Sequence, residues 1–230
     1  MRTIDVTSGI RILDSKASAG LLSKVLWITT LGFVFTALGA YLAPPTLYGI
    51  GLFGLVLNIG LIFGIQAASR RAPALALLLF YGFTLLMGFE IAPLLHMYLH
   101  TVNGQNVVFE AALTTALGMG AMALIAQVAR FNWQRLYAWA FFGLIGLVVI
   151  GLVGMFVHFI HPGLYAWASL VIFSVLLLVD FMRLRDMGAL YASPVPMALS
   201  IYLDALNIFL ALLQIFGNGG GNRNRRSGSW

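Results

Sequence analysis

Residues 197–217 read MALSIYLDALNIFLALLQIFG, an apolar run long enough to cross a bilayer with one acidic residue, Asp204, inside it. On a helix advancing 100° per residue, Ser200, Asp204, Asn207 and Gln214 fall within about 80° of one another, a narrow polar stripe on an otherwise apolar surface. Such a stripe does not face lipid, because an ionised carboxylate in a spanning segment is costly unless it meets a partner, the protein interior or water. The helix is therefore expected to be central, with the others around it.

The rest of the chain supplies those others. Of 230 residues, 61% are hydrophobic and 9% charged, and the mean hydropathy is +0.96, far outside the range of soluble domains. The composition predicts a polytopic membrane protein with the lipid bilayer as its main partner and no room for a soluble domain. There is no cysteine, so disulfides and thiolate chemistry are excluded. The net charge of +6 works as a topology signal; no basic surface interleaved with aromatics is available, so no nucleic acid partner is expected.

In chain order, residues 1–20 are polar and of mixed charge and read as an exposed tail. A first span at roughly 21–43 ends at Pro44 and Pro45 and reads as uncleaved. Further spans follow at roughly 47–68, 74–95 and 107–129, the last after the polar turn Asn103–Asn106. A fifth ends near His158, and a sixth reaches about Met182 before the loop that leads into 197–217. The expected architecture is all-α: a single domain over 21–217, a seven-helix transmembrane bundle with the C-terminal helix central, followed by a basic polar tail at 218–230. Gly60 and Gly64 form a small-xxx-small pair expected to allow close helix approach, and Trp133, Tyr137 and Trp139 read as interface anchors.

Lys and Arg occur in the N-terminal tail, at 70–71, at 130–135 and at 183–196, and are absent from the turns at 44–46, 96–106 and 158–163. The positive-inside rule then places the N-terminus in the cytoplasm. The seventh segment is less simple. A full crossing puts Arg223, Arg225 and Arg226 outside, whereas a re-entrant segment returns them; its length favours crossing.

Few ionisable groups remain within spans. Asp180, Asp204 and Arg70 all fall on the cytoplasmic half in this topology. Two carboxylates together in a poorly solvated place resist simultaneous ionisation and share a proton. With Arg70 they would form a bistable latch, since deprotonation adds repulsion between the acids and protonation weakens their attraction to the arginine. The plainer alternative pairs Asp180 with Arg183 one turn along and leaves Asp204 in a buried hydrogen-bond network. Glu90, within the third span, and Glu110, at the outer start of the fourth, suit a cation route with Asn207 and Ser200, although Glu110 equally suits a helix N-terminus. His96, His100, His158 and His161 gather near the outer face, but without an HExxH pattern or cysteine help no metal site is expected. No GxxxxGK[ST], GxSxG or suitably placed GxGxxG occurs, so neither catalytic residues nor a cofactor is expected.

The segment SPVPMALSIYLDALNIFLALLQIFG at 193–217 resembles the last helix of the Bax inhibitor-1 family, whose bacterial members share a proline followed by A-L-S-x-Y-L-D-x-x-N-x-F. LLLVDFMRL at 176–184 resembles the family's sixth helix, and SRRAPALALLLFYGFTLLMGFEIAPLL at 69–95 its second-to-third helix region. The resemblance implies a seven-helix bundle with the last helix central and a calcium leak that responds to pH. It assigns the pH-sensing acidic pair to Asp180 and Asp204 and the arginine latch to Arg70. The glycine and arginine tail departs from some relatives.

Two functions follow as expectations. The first is a pH-sensitive cation leak channel of the bacterial cytoplasmic (inner) membrane, with calcium as permeant ion. The second is a regulatory membrane protein that binds a partner such as a membrane-bound AAA protease, which the polar N-terminal tail would favour. An intramembrane hydrolase is much the weakest reading.

Overall fold

The structure is a computed structural model that describes residues 6–44, 51–130, 132–156, 162–187 and 193–223; at 6–19, 51–52, 155–156 and 219–223 only the main chain is considered. Among these residues there are seven helices and no strand: α1 (Val6–Leu42), α2 (Gly51–Arg71), α3 (Pro73–Leu99), α4 (Gly104–Val128), α5 (Trp133–Phe156), α6 (Pro162–Met187) and α7 (Val195–Arg223). Each contains a segment long and apolar enough to cross a membrane. Proline marks several starts. Pro73 and Pro162 open α3 and α6, where a missing N–H costs no helical hydrogen bond. Asn132 caps α5, its Oδ1 accepting from the backbone N–H of Gln134 at 3.1 Å and of Arg135 at 3.3 Å. Asn103 takes the left-handed conformation, φ 62°, ahead of α4, one of the few conformations for which asparagine is well suited.

Helix extends into both of the polar end segments. The helix of α1 begins at Val6, well before its apolar segment at Gly20–Leu42. At the other end α7 continues to Arg223, six residues past the expected boundary at 217. In each case the polar residues that look like a tail simply prolong a helix nucleated by its apolar portion.

Burial ranks the helices. In α7, 56% of the spanning window is buried, against 39% in α6 and 11% in both α4 and α5. The last helix is thus the inner one, as its polar stripe requires, while α4 and α5 present apolar side chains such as Leu117, Leu124, Phe142 and Trp139 outward. Exposure of Trp139 and Tyr137 at the start of α5 agrees with their reading as interface anchors.

The chain divides into two compact units, Met1–Glu90 with Asp180–Ser200, and Ile91–Val179 with Ile201–Trp230. In the first, α1 and α3 cross at Gly39 and Gly88. A Cβ on Gly39 would run into the Leu85 carbonyl, and one on Gly88 into the Thr36 carbonyl. The Thr36 hydroxyl is shared between the carbonyl oxygens of Gly32 at 3.0 Å and Thr84 at 2.9 Å, and Phe35 stacks on Tyr81 with ring centroids 4.9 Å apart. Gly60 and Gly64 do not make the expected close approach. Nothing lies within 4 Å of a Cβ built on Gly60, and Gly64 meets only Leu79 Cδ1 at 3.6 Å. In the second unit the Tyr165 hydroxyl donates to the Leu147 carbonyl at 3.4 Å, tying α6 to α5.

The second unit also decides how α7 ends. Gly217 lies against the ring of Tyr98, which is two residues from the α3–α4 turn. The helix runs unbroken from Val195 to that contact, the path expected of a crossing segment rather than of a re-entrant hairpin.

Candidate functional site

Asp180 is placed by α6, six residues before the end of that helix's apolar segment, and is 3% exposed. The first unit brings it together with Ser200 at the start of α7, whose hydroxyl donates to the Asp180 carboxylate. Its second oxygen, Oδ2, is buried and has no hydrogen-bond partner among the described residues. The charge that acts on it is Arg183, three residues along the same helix. A buried carboxylate with one satisfied oxygen and one open oxygen is an uncommon arrangement, since buried polar atoms are nearly always paired. Chemically it offers a position at which a proton can attach and be released.

Asp204 lies nine residues into α7 and is 7% exposed, in a helix with no exposed residue from Val195 to Gly217. Asn207, on the same stripe, turns its amide back on its own helix, with Nδ2 donating to the Leu203 carbonyl at 2.8 Å. Its first use is therefore to satisfy itself inside an apolar helix.

Arg70 is not engaged with Asp180. It ends α2 beside Arg71, both are exposed, and neither forms an ion pair with a described residue. Arg183, on the same helix, is a charge that acts on Asp180, and the two arginines that end α2 are exposed.

Glu90, on α3, finds a partner that the sequence did not single out. Asn58 of α2 donates through Nδ2 to both Glu90 carboxylate oxygens, at 2.8 Å each, and Gly54 one turn earlier leaves the room in which Oε1 sits. Asn58 is itself buried at 6% exposure, and its Oδ1 has no partner among the described residues. The signal was present as a single amide in the apolar run LVLNIGLIF at 55–63.

Glu110 is exposed and lies six residues after Gly104, beyond the first turn of α4, so it is not the N-terminal charge that the dipole argument called for. Among the described residues no group of three His, Cys, Asp or Glu could hold a metal. His100 is exposed, with Nδ1 2.7 Å from the His96 carbonyl oxygen; His158 and His161 lie outside the described residues.

The profile of the family described as Inhibitor of apoptosis-promoting Bax1 matches residues 18–221. An uncharacterised protein of Helicobacter pylori (strain ATCC 700392 / 26695) is 30% identical over 163 residues, 70% of this chain and 69% of its own length. An uncharacterised membrane protein of Streptococcus pyogenes serotype M1 is 31% identical over 186 residues, covering 76% of this chain and 75% of its own. A third relative, an uncharacterised protein of Pseudomonas aeruginosa, is 26% identical over 223 residues, 92% of this chain and 95% of its own.

Proposed function

Because the chain belongs to the Bax inhibitor-1 family, we propose that this multi-pass membrane protein is a cation leak pathway whose conductance for calcium follows the protonation of Asp180 and Asp204. Family membership supports a membrane protein with a regulatory or channel-like role. The observation that carries the pH-gated reading is Asp180, nine-tenths buried, bonded to Ser200 through one oxygen and open at the other. A proton arriving at Oδ2 turns an acceptor into a donor and removes a charge from a place where charge is poorly solvated. Either change alters the energy of any rearrangement of α6 and α7 that the two acids accompany.

Arg70 enters the proposal as the group that approaches the ionised acids to close the path. Its exposed position at the end of α2 means that closure requires it to move. The ion's own gradient is the driving force, in keeping with the lack of nucleotide-binding motifs, and no catalytic step is proposed. The membrane is the bacterial cytoplasmic membrane, with the N-terminus inside. Conduction is placed ahead of a protease-linked regulatory role because the feature favouring the latter, an unstructured polar tail, is helical from Val6 onward.

The test is calcium flux into liposomes holding the purified protein, measured across pH for wild type, Asp180→Asn and Asp204→Asn. The expected result is a pH-dependent wild-type flux whose dependence is flattened in both variants. Identical flux from all three at every pH defeats the proposal.

A further inference from the structure

We infer that Arg135 and Arg130, at the turn between α4 and α5, bind the phosphate of an anionic phospholipid whose acyl chains lie along the outward face of α5. Both arginines are exposed, and neither forms an ion pair with a described residue. Nor is a carboxylate near in sequence. Residues 111–179 contain no Asp or Glu, and Glu110 stands toward the far end of α4, about 30 Å away along a helix rising 1.5 Å per residue.

The two charges are not equivalent. Arg130 follows the C-terminal end of α4, where the helix dipole favours a cation. Arg135 is in the first turn of α5, at the positive end of the dipole, with no acidic residue in that turn to offset it. Asn132 caps this end by accepting from the N–H groups of Gln134 and Arg135, and being neutral it leaves the excess positive charge in place. An anion from outside the chain relieves that repulsion, and guanidinium groups match the oxygens of a phosphate.

The face of α5 that leads away from Arg135 identifies the carrier of the anion. At 100° per residue Arg135, Trp139, Phe142, Gly146, Val149 and Val153 fall within about 80° of one another, a stripe about 27 Å long. Its side chains are exposed, Trp139 at 79% and Phe142 at 70%, and nothing lies within 4 Å of a Cβ built on Gly146. The stripe therefore offers a cation at its head, an aromatic ring at headgroup depth and an apolar run notched at Gly146. A free phosphate would use only the first of these; a phospholipid uses all three. A zwitterionic lipid brings its own ammonium against the arginines, so a net negative headgroup is the better fit.

The purified full-length chain in detergent is titrated with phosphatidylglycerol and, separately, phosphatidylethanolamine. Bound lipid is counted by native mass spectrometry for wild type, Arg135→Glu, Arg135→Lys and Arg71→Glu. Wild type is expected to bind phosphatidylglycerol several-fold more tightly than phosphatidylethanolamine. Arg135→Glu should weaken phosphatidylglycerol binding about tenfold or more, through loss of one charge and gain of its opposite, while Arg135→Lys keeps most of it. Such a loss is not unfolding, because a carboxylate in the first turn of α5 stabilises that helix end. Arg71→Glu makes the same change in net charge and should leave binding within about twofold of wild type. Equal affinity of wild type for the two lipids, or equal losses from Arg135→Glu and Arg71→Glu, overturns the inference. So does displacement of the lipid by soluble glycerol phosphate, or a two-chain mass that excludes lipid. None of these outcomes involves Asp180 or Asp204, so the conduction proposal stands or falls separately.

Discussion

Gly39 and Gly88 bring the backbones of α1 and α3 into contact, and no other residue type fits at either position without a shift of one helix. A methyl group at Gly39 would enter the Leu85 carbonyl, and one at Gly88 would enter the Thr36 carbonyl, so the obstacle is main chain and cannot rotate away. Gly39→Ala and Gly88→Ala should each cost about 1–3 kcal/mol, the usual penalty of overpacking. In detergent, their thermal unfolding midpoints should fall by several degrees. Gly60→Ala is the matched control: with open space around its Cβ it should be neutral or stabilising by up to about 1 kcal/mol through helix propensity. Equal midpoints for Gly60→Ala and Gly88→Ala would mean that the crossing is not tight. The sequence did hold a cue to this crossing. Gly32, Thr36 and Ala40 repeat at four-residue spacing on α1, and Thr84 and Gly88 on α3, a longer small-residue ladder than the Gly60 and Gly64 pair. Spacing reveals which faces are able to approach, but it takes the partner helix to show which do.

At the scale of the element, α7 shows most clearly what hydropathy can and cannot tell. Its inner position was legible because Asp204 and its neighbours on the stripe cannot face lipid, and no residue from Val195 to Gly217 is exposed. Its far end was not legible, because the length of the run and the arginines behind it point to opposite sides. The unbroken helix up to the contact between Gly217 and Tyr98 is the path expected of a crossing. The helix extensions of α1 before Gly20 and of α7 after Gly217 escaped for a related reason: apolar runs mark what the membrane covers, not where the helix stops. Asn58 escaped because a lone amide in an apolar helix gains meaning only from what faces it, here Glu90. Since the chain has no cysteine, single cysteines report on the crossing without background. Asn218→Cys and Arg185→Cys mark the two ends of the α6–α7 pair. In intact cells a membrane-impermeant maleimide should label the first and spare the second until the membrane is opened. Protection of both in intact cells would return α7 to a re-entrant path.

Across the whole molecule, we propose that the Lys and Arg distribution sets which way those helices run. Ten of the thirteen lie in the N-terminal region, at the α2–α3 turn, between α4 and α5, and at the end of α6, all on one side of the membrane for seven crossings; Arg223, Arg225 and Arg226 fall on the other. The bias is counted over short loops close to span ends, and three of the loops on the favoured side are short and basic. Each contributes independently, so the three tail arginines are outweighed rather than decisive. Replacing all three, Arg223→Gln with Arg225→Gln and Arg226→Gln, should leave the labelling pattern of Asn218→Cys and Arg185→Cys unchanged. Neutralising Arg70, Arg71, Arg130 and Arg135 together instead should yield a mixed population in which part of the Arg185→Cys protein becomes labelled in intact cells. A pattern that follows the tail arginines and ignores the loop arginines would show that the last helix, rather than the earlier loops, sets the orientation.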